Sequence, residues 1–240
     1  MLAKTIAYNQ SKKIFILFGP LASGKGTQAK KIAKEFNLPH ISTGDLLRDH
    51  LKRGTDLGKK AESFMKSGQL VPDDLIIDLI QNRIQEDDCK NGFILDGFPR
   101  TKPQAIALEG LLKTQNLKVS NVFMFLINED LAIKRATGRW ECATCHTDIN
   151  SAYDQEFAKQ IEQAEKNGTK VYHNRNGCQG EMIHRSDDSA VEAIKNRYND
   201  FSKNTMPAFE ELADHAPSLV LDGSKTIDEI FNELLKSIND

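Results

Sequence analysis

The 240-residue chain has little of what marks several large classes of protein. Four cysteines are too few for a disulfide-stabilised secreted scaffold. The sequence also contains no run of 18 apolar residues, the length that a membrane-spanning helix needs. The first residues also lack the apolar core of a signal peptide. Neither sign of charge dominates, because 32 basic and 34 acidic residues leave a net charge of -2, which argues against a protein that coats nucleic acid. We therefore expect a cytoplasmic protein that binds neither membranes nor nucleic acid.

The apolar residues, 39% of the chain, are grouped as in an α/β protein. Unbroken apolar runs at 14–18, 93–95, 122–127 and 219–221 predict strands that are buried on both faces, as in a parallel sheet. Helical patterns lie between these runs, and two of them cover residues 26–36 and 226–238. The sequence thus predicts a parallel sheet with helices on both faces.

Two segments interrupt this alternation and are predicted to be insertions. The first insertion covers residues 43–72 and the second covers residues 135–185, which leaves 1–42, 73–134 and 186–240 as the core domain. The second insertion contains three of the four cysteines. It also has apolar residues at helical spacing, Phe157, Ile161 and Ala164, which predict an additional helix that ends near Gly168.

A glycine-rich loop, Gly19-Pro-Leu-Ala-Ser-Gly-Lys-Gly-Thr27, joins the first predicted strand to the first predicted helix. Such a loop directs backbone N–H groups and the positive end of the helix at a phosphate, and Lys25 adds a mobile cation. Gly26 stands where the strict motif has Ser or Thr, so the loop does not predict a direct metal ligand. The pattern indicates a nucleoside triphosphate site.

Charged residues outside the loop indicate phosphoryl transfer. Asp96 follows the predicted strand 93–95, at the edge of the sheet where ligands gather, and its carboxylate suits Mg²⁺. Arg100 offers a planar guanidinium that matches phosphate geometry. Further arginines are candidates for clamping a transferring phosphoryl group, namely Arg48, Arg135, Arg139, Arg185 and Arg197.

Taken together, these segments resemble the adenylate kinases over about residues 14–238. The resemblance is carried, in this order, by the segments GPLASGKGTQA, ISTGDLLR, GQLVPDDL, GFILDGFPRTKPQA, RATGRWECATC and RSDD. It implies a phosphate-loop α/β core, a nucleoside-monophosphate-binding insertion at 43–72, and a lid insertion at 135–185. It also implies reversible transfer of a phosphoryl group from Mg²⁺-bound ATP to AMP, giving two ADP, by a monomeric enzyme.

The resemblance further implies roles for individual residues. The implied ATP-binding residues are Ala22, Ser23, Gly24, Lys25, Gly26, Thr27, Arg135, Arg139, Asp148, Ile149 and Lys225, the last through its backbone carbonyl. The implied AMP-binding residues are Thr43, Arg48, Gln69, Leu70, Val71, Gly97, Phe98, Pro99, Arg100, Gln104, Arg185 and Arg197. The implied catalytic residues are Lys25, Asp96, Arg100, Arg135, Arg139, Arg185 and Arg197, and Asp187 and Asp188 would hold neighbouring arginines.

Ala22 departs from the family, whose loops commonly have glycine at that position. We expect alanine to be tolerated there provided that its backbone is not left-handed.

The cysteines of the second insertion indicate a structural zinc site. Cys142 and Cys145 have zinc-knuckle spacing, and the resemblance implies a second cysteine pair whose first position is Arg175 and whose second is Cys178. His173 is our predicted fourth ligand, since it lies on the approach to Cys178. His146 is less suitable, because a side chain adjacent to Cys145 rarely reaches the same metal. The alternative is a metal-free segment with residual thiols.

Two other functions compete with this interpretation. One is a UMP/CMP kinase, although Thr43 and Gln104 favour AMP as the acceptor. The other is a non-catalytic module that binds zinc and nucleotide; the combination of Lys25, Asp96 and the arginines argues against it.

Overall fold

The strands form two separate sheets in the computed structural model, which describes residues 12–175, 177–184, 188 and 190–239. In chain order the strands are β1 (Lys13–Phe18), β2 (His40–Ser42), β3 (Gly92–Asp96), β4 (Asn121–Leu126), β5 (Arg139–Cys142), β6 (Asp148–Asn150), β7 (Val171–Tyr172), β8 (Glu181–His184) and β9 (Ser218–Asp222). The larger sheet has the order β2-β3-β1-β4-β9 and every neighbouring pair is parallel. The four predicted strands are therefore confirmed. Strand β2 was not predicted, because its three residues contain only one apolar side chain, Ile41.

The helices are α1 (Lys25–Phe36), α2 (Thr43–Lys52), α3 (Asp56–Ser67), α4 (Asp73–Arg83), α5 (Lys102–Thr114), α6 (Glu129–Thr137), α7 (Gln155–Asn167), α8 (Val191–Asp200), α9 (Met206–Ala213) and α10 (Ile227–Asn239). A 3₁₀ helix covers Asp87–Asn91 and a π-helical turn covers Phe201–Thr205. None of the helices in the described part of the chain is both long and apolar enough to cross a membrane.

Both faces of the large sheet are buried by helices, as the unbroken apolar strands require. On one face Phe15 and Leu17 of β1 pack with α1 and α10. On the other face Ile14 and Ile16 pack in a cluster that includes residues of α4, α5 and α9. The predicted α/β class is confirmed, and the arrangement places the carboxyl ends of β1, β2 and β3 side by side.

The smaller sheet lies within the second insertion. It is antiparallel, with the order β6-β5-β8-β7. The predicted additional helix is α7, which ends at Asn167 before the left-handed Gly168. Its apolar side packs on the smaller sheet, where the rings of Phe157 and Trp140 are 6.0 Å apart between centroids. Residues 43–67 form the helix pair α2 and α3.

Candidate active site

The carboxyl ends of the parallel strands open onto a large cavity, which we call the larger cavity. Residues 17–28 line one side of it, and Asp96 lines it from the adjacent strand β3, where it pairs in register with Leu17 of β1. A smaller cavity lies beside it, against α2 and the start of α4. Arg48, Arg100 and Arg197 line both cavities, so three guanidinium groups lie where the two spaces meet.

The glycine-rich loop curls around the ammonium group of Lys25. Its Nζ donates to the carbonyl oxygens of Gly19 and Pro20, both at 2.7 Å. Burial is the largest of the causes that together lower the pKa of Lys25 to about 8; Asp96 opposes the shift, and Arg100, Arg197 and Arg139 add to it. An anion bound in the loop would therefore stabilise the charged form of Lys25.

Ala22 does not meet the condition expected of it. Its φ of 56° lies in the left-handed region, which glycine adopts without penalty and alanine adopts at a cost of about 1–2 kcal/mol. The sequence could not show this, because the backbone conformation of the loop is set by what the loop encloses.

Asp96 is held ionised at the mouth of β3. Burial alone would raise the pKa of its carboxyl group, but a hydrogen bond from His40 and the charge of Lys25 hold the pKa below its usual value. His40 Nε2 lies 3.3 Å from Asp96 Oδ2. His40 lines the larger cavity and was not predicted, since nothing in its local pattern distinguishes it from a surface histidine.

The arginines are positioned by specific acceptors. Asp188, which has no exposed surface, accepts from Arg139 at 2.8 Å and from Arg197 at 3.0 Å, as expected for that aspartate. Arg135 donates to the carbonyl of Gly223 at 2.8 Å. Predicted residues Arg185 and Asp187 lie outside the described residues.

Most of the predicted nucleotide-binding residues line the two cavities. The larger cavity is lined by Ala22, Ser23, Gly24, Lys25, Gly26, Thr27, Arg135, Arg139, Asp148, Ile149, Lys225 and Pro99. The smaller one is lined by Thr43, Arg48, Gln69, Leu70, Val71, Gly97, Arg100, Gln104 and Arg197. Gln104 is also a structural link, because it accepts from the Arg100 N–H at 2.7 Å and donates to Asp73 at 2.7 Å.

Phe98 does not line either of these cavities. Only 1% of its surface is exposed, and its ring packs in the core cluster that includes Ile14 and Ile16. The motif Asp96-Gly97-Phe98-Pro99-Arg100 thus places its aromatic residue inward and its polar residues toward the cavities. Arg175, considered in the sequence only as a failed metal ligand, lines the larger cavity and forms an ion pair with Asp154.

The second insertion brings together the four predicted metal ligands. One ligand atom from each of Cys142, Cys145, His173 and Cys178 lies within 4.8 Å of the others. Nδ1 of His173 is buried without a hydrogen-bond partner among the described residues, and Nε2 lies 3.5 Å from the Cys145 sulfur. The cluster has the donor set and spacing of a structural metal site.

The surroundings of these thiols also favour a metal. A hydrogen bond with Thr147 lowers the pKa of the Cys145 thiol to about 6, which favours the thiolate that binds metals. A Cβ on Gly180 would collide with the Cys142 sulfur, so the glycine permits a close approach of the backbone to the cluster. His146 is 69% exposed and pairs with Glu141 at 2.9 Å, away from the cluster.

Comparison with known proteins agrees with this geometry. The family model described as adenylate kinase matches residues 17–216. The chain belongs to the adenylate kinase family. An adenylate kinase of Methanocella arvoryzae is 42% identical over 224 residues, which cover 93% of this chain and 97% of that relative. Adenylate kinases of Finegoldia magna, 39% identical over 223 residues, and Methanosarcina barkeri, 40% identical over 219 residues, cover 93% and 91% of this chain and 97% and 95% of their own.

This family member is an enzyme that transfers the terminal phosphoryl group of ATP to AMP. The interpretation as an adenylate kinase is thereby confirmed over that as a UMP/CMP kinase or a non-catalytic module. A phosphate-binding loop, a carboxylate and arginine side chains are the kinds of group that phosphoryl transfer uses.

Proposed function

We propose that AMP occupies the smaller cavity and ATP the larger one, with the transferring phosphoryl group between them. The observation that carries this proposal is that Arg48, Arg100 and Arg197 line both cavities. During transfer an oxygen of the AMP phosphate bonds to the terminal phosphorus of ATP, while the bond from that phosphorus to ADP breaks. Guanidinium groups that contact both nucleotides neutralise the charge that this exchange spreads over the phosphoryl oxygens.

Lys25 and the paired arginines have complementary roles in this arrangement. Lys25 contacts the outer phosphates of ATP from the glycine-rich loop, and phosphate oxygens would replace the Gly19 and Pro20 carbonyls as its partners. Arg139 and Arg197 are preorganised by the shared acceptor Asp188, which reduces the reorganisation needed when phosphates arrive. Arg185 is assigned to the same group of residues on sequence alone.

Asp96 is the residue that would hold Mg²⁺ or its water ligands. Its ionised carboxylate is the oxygen donor that Mg²⁺ prefers, and it lies beside the glycine-rich loop, where the phosphates of ATP would lie. When bound, Mg²⁺ supplies neutralising charge to the phosphate oxygens.

The cluster of the second insertion would hold a structural zinc ion through Cys142, Cys145, His173 and Cys178. Four ligands from protein side chains would close the coordination sphere and tie the turn after β5 to the segment that leads into β8. The zinc ion would act as a cross-link between these segments, since no coordination position would be left open for a substrate.

The two insertions, residues 43–72 and 135–185, would close over the nucleotides and exclude water, so that the phosphoryl group is not lost to hydrolysis. The enzyme would act as a cytoplasmic monomer on ATP, AMP and ADP, without nucleic acid or membrane partners. The net charge of only -2 supports the absence of a nucleic acid partner.

A pair of arginine variants tests the assignment of the cavities. Arg100 lines both cavities and lies beside Thr43 and Gly97, whereas Arg135 lines only the larger cavity. Arg100→Ala should raise the KM for AMP more than that for ATP, and Arg135→Ala should do the reverse, in a steady-state assay that varies each nucleotide in turn. If Arg100→Ala raised the KM for AMP and the KM for ATP equally, the assignment of Arg100 to the AMP site would be wrong.

A further inference from the structure

Gln28 is a buried polar residue to which the nucleotide-site assignments give no role. It directly follows the glycine-rich loop, in the first turn of α1, and it lines the larger cavity although only 1% of its surface is exposed. Its Nε2 donates to the backbone carbonyl of Ile227 at 2.8 Å. Its Oε1 is buried and has no hydrogen-bond partner among the residues that the structure describes.

The partner of Gln28 closes a short loop on the wall of the larger cavity. We call residues 223–227 the base loop, since Lys225 is the residue assigned to the adenine of ATP. All five line the larger cavity, and Ile227 is also the first residue of α10. The Lys225 side chain forms an ion pair with Glu233 at 2.6 Å, which leaves the loop backbone to face a ligand.

The other end of the base loop is fixed against the phosphate-binding region. A Cβ on Gly223 would lie 2.9 Å from the Ser23 carbonyl oxygen and 2.8 Å from the Ile127 side chain, so only glycine permits this approach. The Gly223 carbonyl also accepts a hydrogen bond from Arg135 at 2.8 Å. The base loop is thus held at Gly223 by the glycine-rich loop and Arg135, and at Ile227 by Gln28.

We propose that Gln28 is a positioning residue for the base of the phosphate donor. Helix α1 carries the phosphate-binding loop at its N-terminus and Gln28 in its first turn, so a single rigid element sets the distance between the phosphates and the base loop. The proposal rests on the placement of ATP given above. It adds a side chain that acts on the base through the Ile227 carbonyl.

The unpaired Oε1 distinguishes this role from a purely stabilising one. A buried acceptor without a partner is unfavourable, and methionine would fill nearly the same space without that defect. The Ile227 carbonyl would not lose its only partner, because the first carbonyl of a helix accepts the N–H four residues further on. Gln28→Met should therefore leave the melting temperature of the ligand-free enzyme unchanged or raise it.

The effect on catalysis should be confined to the phosphate donor. Gln28→Met should raise the KM for ATP about threefold to tenfold, the loss of one positioning hydrogen bond, and leave the KM for AMP unchanged. The preference for ATP over GTP, measured as a ratio of kcat/KM, should fall. Gln28→Glu should have a larger effect, because a carboxylate would face the Ile227 carbonyl with no proton to donate.

Two variants serve as controls. Lys31→Gln breaks another contact between α1 and α10, because Lys31 pairs with Asp228 and lies 4.6 Å from the centre of the Phe231 ring, but it leaves the base loop untouched. It should keep the wild-type KM for ATP. Gly223→Ala should displace the base loop from Ser23 and raise the KM for ATP.

The results separate the inference from the placement of ATP. If Gly223→Ala raises the KM for ATP and the two Gln28 variants do not, the role of Gln28 is wrong and the placement stands. If Gly223→Ala also has no effect, the base does not bind at this loop and both fail. A lower melting temperature with equal increases in both KM values would show that Gln28 is structural only.

Discussion

Two residues of the glycine-rich loop, Ala22 and Lys25, are each in an energetically unfavourable state. Lys25 is buried among arginines that disfavour its charge, and Ala22 adopts a left-handed backbone. We expect the conformation of this loop to be more favourable when a phosphate is bound than when the site is empty. Each leads to a measurable consequence.

The buried position of Lys25 predicts proton uptake on nucleotide binding. With a pKa of about 8 in the free enzyme, Lys25 is largely neutral near pH 9, and phosphate charge beside it should raise that pKa and return the proton. Calorimetric titration with ATP in buffers of different ionisation enthalpy should show uptake near pH 9 that declines toward neutral pH. Lys25→Arg cannot change protonation and should abolish the uptake; uptake that persists in that variant would assign it to another group.

The same shift has a defined sign for stability. Between the folded pKa of about 8 and the ordinary lysine pKa of 10.5, the unfolded chain binds more protons at Lys25, so this residue's contribution favours folding increasingly as pH rises through that window. Below the folded pKa the penalty for the buried charge is fully present.

Ala22→Gly should stabilise the enzyme. The left-handed backbone costs alanine about 1–2 kcal/mol, and the greater freedom of glycine in the unfolded chain offsets about 0.5–1 kcal/mol of the gain. We expect urea denaturation to show a free energy of unfolding higher by up to about 1 kcal/mol. Asn37→Gly is the matched control, since Asn37 has a φ of 52° but asparagine tolerates that region, and its gain should be smaller. A destabilised Ala22→Gly would contradict the assigned strain.

At the scale of elements, the smaller sheet has a core of its own. Phe157, Ile161 and Ala164 of α7 pack with Met182 of β8, and Cys142 and Cys178 of the four-residue Cys₃His cluster pack in the same core. Strands of two to four residues bury little surface, so we expect this element to depend on α7 and, if the cluster binds a metal, on that metal for its stability.

The metal prediction follows from that dependence. Protein purified without chelator should contain about one zinc per chain, and His173→Ala should lose it or bind it much more weakly, because Cys₃His is a complete tetrahedral set. His146→Ala is the matched control and should retain the metal. Elemental analysis that finds no zinc would refute the site, and zinc retained by His173→Ala would refute only that ligand.

Chelation should loosen the smaller sheet while the large sheet stays folded. The chain's single tryptophan, Trp140, lies on β5 against Phe157 and His184, so its fluorescence reports on this element alone. A change in that fluorescence with little loss of far-ultraviolet circular dichroism is expected. Cooperative loss of both signals would show that the two sheets unfold as one unit.

For the whole molecule, the adjoining cavities predict a preference for a ligand that fills both. Two adenosines joined through five phosphates would place phosphate oxygens along Lys25, Arg100 and Arg197, and the linkage makes the second binding event intramolecular. Calorimetry should show that this compound binds at least about a hundredfold more tightly than ATP. No advantage over ATP would contradict two nucleotide sites that meet.

Local patterns in the sequence predicted the strands β1, β3, β4 and β9 of the larger sheet, the additional helix α7 and the chemical class of the glycine-rich loop. Each of these depends on neighbours within one turn or one strand: apolar runs predict buried strands, and glycines before a helix predict phosphate binding. Many of the residues that line the two cavities, Arg100 and Thr43 among them, were likewise predicted from motifs that are contiguous in the chain.

Only the tertiary structure decided the contacts between distant segments. It identified Arg139 and Arg197 as the arginines that Asp188 holds, and it alone showed that Gln28 binds the Ile227 carbonyl 199 residues away. It also turned Phe98 into the core and Ala22 into a left-handed conformation, against expectation. Such hydrogen bonds and backbone conformations depend on which distant segments pack together. The periodicity of the sequence describes only neighbours within one helix or strand, so it does not reveal these contacts.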